Sequence, residues 1–198
     1  LALARSGILG EVRQAQVSVA HGYHGINLLR GLLGVNFEAC SIQARVFRSP
    51  IISGPGRDGP PAQESRHESV QTIAHLDFGE KLGVFDFTGD MYFSWIRSQR
   101  VLARGERGEI NNETVRYLKD FRTPMEQSLR RLNAGEDGNL EGYYFKGILL
   151  GDDWLVANPF APARLSDDEL AVAHCMEKMA AYINGADGFC SLAQASQD

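Results

Sequence analysis

Hydrophobic and polar positions alternate in many short stretches of this chain, and the two clear helical stretches lie towards its ends. In Gln14-Ala15-Gln16-Val17-Ser18-Val19 the odd positions are apolar and the even ones polar, the period of a half-buried strand. Ile26, Leu29 and Leu33 then share one face at helical spacing, and Gly34 stands where a helix would stop. A second strand is predicted with Cys40, Ile42, Ala44 and Val46 facing one way and Ser41, Gln43 and Arg45 the other. Residues 49–68, rich in Pro, Gly and charge, read as a long exposed loop. Val70, Thr72, Ala74, Leu76 and Phe78 alternate up to Gly79-Glu80, a turn that leads into residues 81–87 and predicts a hairpin.

Shorter strands are predicted at 100–104, 114–119, 125–132, 142–150 and 153–156. Ser166-Asp167-Asp168-Glu169 has the form of a capping box. It opens a helix with the apolar stripe Leu170, Ala173, Met176, Ala180 and Ile183, closed by Gly185. The hairpin-like spacings predict an α+β fold: an open, mainly antiparallel β-sheet with helices packed on one face. With Phe and Leu expected on both faces, the uncovered face should bury itself against a second copy, giving a homo-oligomer.

Composition narrows the function classes. The 198 residues, 43% hydrophobic and 23% charged, suffice for a sizeable core, and one domain over 1–198 is the simplest reading. A net charge of −5 without a basic block argues against nucleic acid, and the short apolar runs argue against a membrane span. No signal peptide is visible, and Cys40, Cys175 and Cys190 are far apart, so reduced structural thiols in a cytoplasm are expected. The start at Leu1 and the helix-like tail Ser191–Asp198 suggest a segment of a longer protein.

The densest chemistry is His21-Gly22-Tyr23-His24-Gly25, which places two of the five histidines at a strand-to-helix junction. Imidazole exchanges protons near neutrality, and flanking glycines let another molecule approach the backbone. A metal there is not expected, because a stable site wants three or four ligands and His67, His75 and His174 are dispersed. Gly54-Pro55-Gly56-Arg57-Asp58-Gly59 fits the G-x-G-x-x-G expression. Pro55 removes an amide, however, Pro60-Pro61 follow, and no periodic helix begins, so no cofactor-binding residue is expected. Nucleophilic catalysis has no support in the sequence: there is neither a G-x-S-x-G elbow nor a cysteine in an activating context. Asp86, Thr88, Asp90, Tyr92, Trp95, Arg97 and Arg100 mix rings and charges after the hairpin and could line a sugar or polyol pocket. Of Tyr143-Tyr144, at most one ring can face such a pocket.

The stretch His24-Gly25-Ile26-Asn27-Leu28-Leu29-Arg30-Gly31-Leu32-Leu33-Gly34 resembles the Gfo/Idh/MocA oxidoreductases, the glucose–fructose oxidoreductase and inositol dehydrogenase group. In that family a histidine opens a helix after the first strand of the C-terminal domain. Ile8-Leu9-Gly10-Glu11-Val12 resembles the family's entry into that strand, with one glycine missing. Gly105-Glu106-Arg107-Gly108-Glu109-Ile110 resembles its turn between later strands, and the capped last helix falls in the expected place. The resemblance spans roughly residues 8–190.

It implies that this chain is the substrate-binding and oligomerisation domain of a two-domain dehydrogenase. A Rossmann domain outside the chain would hold NAD or NADP and supply the catalytic lysine, so this chain alone would bind no cofactor and turn nothing over. His24 would accept or relay the proton of a hydroxyl on a sugar, polyol or derivative while hydride leaves the same carbon. His21, Tyr23 and Asn27 would be pocket neighbours, with Trp95 and Arg97 further out. Two carboxylates usual in the family are replaced here by Ala20 and Asn27, which removes groups that could orient the imidazole. The alternative is therefore a non-catalytic ligand-binding or dimerisation module of the same fold.

Overall fold

The computed structural model describes residues 1–135 and 142–198. It divides into two compact units: residues 3–126 with Leu1, Gln197 and Asp198, and residues 127–196 with Ala2. The chain opens with a four-residue helix, α1 (Ala2–Arg5). The first unit then holds β1 (Val12–Ser18), α2 (Gly22–Leu33), β2 (Ser41–Ile52), β3 (Arg66–Asp77), β4 (Leu82–Thr88), a short 3-10 helix (Gly89–Tyr92), β5 (Arg100–Gly105), β6 (Gly108–Asn111) and β7 (Thr114–Leu118). Its strands run in the order β7-β6-β5-β1-β4-β3-β2. β1 and β4 are parallel; the other described neighbours are antiparallel. The fold is α+β and mainly antiparallel, as the alternating stretches predict.

Register explains which face is buried. Val115, Ile110, Ala103, Ala15, Gly83, Leu76 and Ile42 stand side by side across the strands. Most of that row is buried, and α2 lies against it through Gly25 and Leu29. A side chain at Gly25 would sit 2.5 Å from the Phe85 ring, and one at Gly83 would sit 2.5 Å from Leu29. Two missing side chains thus set how closely helix and sheet approach. Gly25 serves this packing rather than access for a ligand. Gly34 ends α2 in the left-handed conformation at φ 66°, as its position in the sequence predicts.

The opposite face differs from expectation. The neighbouring row is Gln14, Arg104, Glu109 and Arg116, joined by ion pairs from Glu109 to Arg104 at 3.0 Å and to Arg116 at 3.6 Å. Phe85, Phe87 and Leu76 are buried, so the apolar residues do not divide evenly between the faces. Apolar exposure lies instead along β2, where Ile42 is 63% exposed, because α2 covers β1 and β4 and leaves the edge bare.

The expected loop 49–68 is shorter than predicted. β2 and β3 keep their register from Ser41 opposite Asp77 to Ile52 opposite Arg66, leaving only 53–65 between them. Pro50 is accommodated because β2 is an edge strand and need not donate on its outer side. Gly56 and Gly59 exchange backbone hydrogen bonds within that loop, and no helix follows them. β6 is a strand that alternation did not reveal, being four residues long after the Glu106-Arg107 turn.

The second unit carries most of β8 (Pro124–Ala134), then β9 (Tyr144–Leu150), β10 (Asp153–Ala157), α3 (Asp167–Ile183) and α4 (Leu192–Ala195). The three strands pair in the order β10-β9-β8, antiparallel throughout. The capping box at Ser166 and Glu169 is formed in both directions. Of the predicted stripe only Leu170 is buried, while Met176 and Ile183 are 68% and 76% exposed. The first turns of α3 are held by the Arg131–Asp167 pair at 2.6 Å to β8 and by a ring contact of His174 with Phe160, in the turn after β10. The tail folds as a short capped helix, α4, that ends at Ser196. The three cysteines are unpaired and exposed, and so do not fill a core. Among the described residues no helix is long and apolar enough to cross a membrane.

Candidate functional site

β1 delivers the chain to the N-terminus of α2, and His21 occupies the position before the first helical residue in an extended conformation. Its side chain does not cap the helix. It meets the phenol of Tyr92, at the end of the 3-10 helix that follows β4. The backbone N–H of His21 donates to the same oxygen at 3.1 Å. The phenol oxygen accepts from that N–H, and its own proton can donate to Nδ1 of His21 when the imidazole carries its proton on the other ring nitrogen. Tyr92 is in turn held edge-on against buried Phe87 at 5.1 Å.

His24 is one helical turn on. Its ring lies 5.2 Å from His21 at 81° and 4.1 Å from Tyr23 at 41°. Four rings from the α2 start and the 3-10 helix therefore form one exposed cluster, with Tyr23 57% exposed. Among the described residues His24 has ring contacts and no hydrogen-bond partner. Among the described residues no carboxylate is hydrogen-bonded to it, and Ala20 stands one turn before it.

The other predicted site residues part company with this cluster. Asn27 donates through Nδ2 to Asp198 at 2.6 Å, and Asp198 also pairs with Arg30. Trp95 is 73% exposed, and Arg97 is exposed with its backbone N–H on Ser94. Neither joins the ring cluster.

A second constellation lies where β2, β3 and β4 end together. Ser53 continues the β2 ladder by donating its N–H to the Ser65 carbonyl at 2.8 Å. His67 sits on β3 opposite Ile51, and Asp90 opens the 3-10 helix after β4. Ser53 Oγ lies 3.1 Å from His67 Nδ1, and His67 Nε2 lies 2.8 Å from Asp90 Oδ1. Thr88 donates to Asp90 Oδ2 at 3.0 Å, and Ser65 donates to Ser53 Oγ at 2.9 Å. Partial burial pushes the Asp90 carboxyl up, but hydrogen bonds from Ser69, His67 and Thr88 outweigh it and hold the group below its ordinary value. An ionised Asp90 can only accept, so His67 donates to it from Nε2, and in the neutral imidazole Nδ1 is then free to accept from the Ser53 hydroxyl. Ile51, Ser53, Pro55, His67, Asp90 and Phe93 are among the walls of a cavity of about 360 Å³ there.

Spacing along the chain does not reveal this second site. Its members come from residues 53, 65, 67, 88 and 90, and His67 looks unremarkable as a lone histidine in the sequence. The available signals were Thr88 and Asp90 in the ring-and-charge stretch after the hairpin. Joining them to Ser53 required the β2–β3 register.

Among the described residues no group of three or more His, Cys, Asp or Glu is gathered to hold a metal. In the Gly54–Gly59 loop, Gly56 and Gly59 spend their amides on each other rather than on a helix start. Compared with family models, with curated proteins and with solved structures, the chain matches none.

Proposed function

We propose that this chain is the substrate-binding part of an NAD(P)-dependent oxidoreductase acting on a hydroxyl of a sugar, polyol or derivative, with His24 as the proton acceptor. The observation that carries the reading is the ring cluster His21–Tyr23–His24–Tyr92, set at the junction where the resemblance puts a substrate histidine. Aromatic faces suit the C–H faces of a sugar ring, and imidazole and phenol suit its hydroxyls. His24 has no protein partner for its ring nitrogens among the described residues, so a substrate hydroxyl can take that place. His21 is held by Tyr92 and so positions the cluster rather than moving a proton. In this reading, as the resemblance implies, the cofactor and the catalytic lysine belong to a part of the protein outside these residues. A cytoplasmic homo-oligomer is part of the same reading.

The test uses the full-length protein with NAD or NADP and a panel of polyols and aldoses, followed by nicotinamide absorbance. His24→Ala should lower kcat by about 100-fold or more, the usual contribution of a general base, with cofactor affinity unchanged. Equal turnover by the variant on the best substrate removes His24 from the mechanism.

One observation favours a second reading. No carboxylate partners His24 among the described residues, and Ala20 stands where the family often has one. A ligand-binding or dimerisation module of the same fold would then bind the polyol without oxidising it. Saturable binding by calorimetry with no absorbance change in the same full-length protein would select that reading.

A further inference from the structure

We infer that Ser53, His67 and Asp90 form a nucleophilic relay that cleaves small carboxylic esters, an activity separate from the oxidoreductase reading. The geometry supplies the hydroxyl, base and orienting carboxylate of such a relay. The hydroxyl is within hydrogen-bond reach of an imidazole nitrogen, at 3.1 Å, and the opposite nitrogen is held by a carboxylate at 2.8 Å. The carboxylate is itself fixed, by Thr88 at 3.0 Å, and buried Ser69 contacts Thr88 at 3.2 Å. Every donor in the row points towards Asp90, so the Ser53 proton has one direction to leave. The ring nitrogens exchange their usual parts, Nδ1 facing serine and Nε2 facing aspartate. Both nitrogens belong to one conjugated ring, and the relay works in either sense.

The site has room for a substrate. The cavity beside the relay measures about 360 Å³, and Ile51, Pro55 and Phe93 give it apolar walls suited to a short acyl group.

The chemistry balances with an ester and water alone. Ser53 Oγ bonds to the ester carbonyl carbon as its proton passes to His67 Nδ1. The C–O bond to the alcohol then breaks, and the alkoxide takes that proton. Water next loses a proton to Nδ1 while its oxygen bonds to the acyl carbon. The bond from that carbon to Oγ breaks, the proton returns to Ser53, and a carboxylic acid departs.

The experiment needs no variant to begin. The full chain is incubated with a fluorophosphonate, which forms a covalent bond with an activated serine, and the adduct is mapped by peptide mass spectrometry. Expected is a single adduct on Ser53. Hydrolysis of para-nitrophenyl acetate is then followed at 400 nm, the absorbance maximum of nitrophenolate (about 400 nm). Ser53→Ala should abolish the adduct and lower the protein-dependent rate by roughly 100-fold, and His67→Gln should do the same to the rate while leaving Ser53 in place. Absence of an adduct on Ser53 in the unaltered chain overturns the proposal. So does a hydrolysis rate that Ser53→Ala and His67→Gln leave unchanged. Because the site shares no residue with the His24 cluster, polyol oxidation can fail while this activity stands, and the reverse.

Discussion

Gly25→Ala tests the fold and the His24 site together, because Gly25 adjoins His24 and fixes the distance between α2 and the sheet. Two effects oppose each other. In an exposed helix interior the exchange would stabilise by about 1 kcal/mol, the helix-propensity difference between Gly and Ala. Here the new methyl would meet Phe85 Cε2 at 2.5 Å, the Ala20 carbonyl oxygen at 2.8 Å and Phe85 Cδ2 at 3.1 Å. Normal carbon contacts are about 3.5–4.0 Å, so the ring or the helix must move by about an ångström. Phe85 is buried and near Phe87, and the Ala20 contact is backbone that no rotamer change can relieve. Overpacking of this kind costs about 1–3 kcal/mol, and contacts this short belong at the upper end. The net expectation is a loss of about 2 kcal/mol, or roughly 4–8 °C in Tm for a chain of this size.

Urea unfolding followed by circular dichroism measures the loss directly. Phe85→Leu, which removes Cε2, the nearest of the clashing atoms, should make Gly25→Ala cheaper, with a coupling of about 1 kcal/mol or more in the double-mutant cycle. A Gly25→Ala protein that is as stable as the unaltered one, or more stable, would show that propensity wins and that α2 does not lie this close to β4. The ring cluster at the start of α2 would then lose the support on which the proposed site rests.

Two further outcomes follow from single side chains. Ser18 is 1% exposed at the end of β1, and its hydroxyl has no hydrogen-bond partner among the described residues. Ser18→Ala should therefore raise stability by about 1 kcal/mol in urea unfolding, and a loss of that size would mean the hydroxyl is satisfied. Asp90 titrates below its ordinary value in the folded chain, so it contributes stability that is complete above the unfolded value near 3.8 and fades as pH falls through the folded one. Asp90→Asn should then be less stable than the unaltered chain at pH 7, with the gap narrowing below about pH 4. A gap of constant size from pH 7 to pH 2.5 would refute the assignment of an ionised Asp90.

What could be read from the sequence was local. Alternation at Gln14–Val19, the Gly79-Glu80 turn, Gly34 and the Ser166 capping box each depend on neighbours within about one turn and have the predicted form. The alternation on β3 holds at Ala74 and Leu76 but not at Val70, which is exposed beside buried Ser69. The errors lie where distant packing decides. Residues 49–52 and 66–68 look like loop by composition, yet the long β2–β3 ladder keeps them extended. Met176 and Ile183 fall on an apolar stripe, yet the second unit has too little sheet to cover them.

The site divides along the same line. His21, Tyr23 and His24 were legible because a single helical turn brings them together, and only Tyr92 had to come from elsewhere. Their hydrogen bonds were not legible, since Ala20 predicts a missing carboxylate without saying where a carboxylate does meet imidazole. Besides the contact of His174 with Glu177 at 3.5 Å within α3, one meets His67, at 2.8 Å, across the ends of three antiparallel strands. A histidine gains a carboxylate and a hydroxyl there only if β2, β3 and β4 are paired in one register. A slip of a single residue between β2 and β3 would turn His67 to the other face and separate it from Ser53 and Asp90. The pairing that makes the edge hairpin long therefore also assembles the relay, which couples the correctness of the fold at the sheet edge to the chemistry proposed for it.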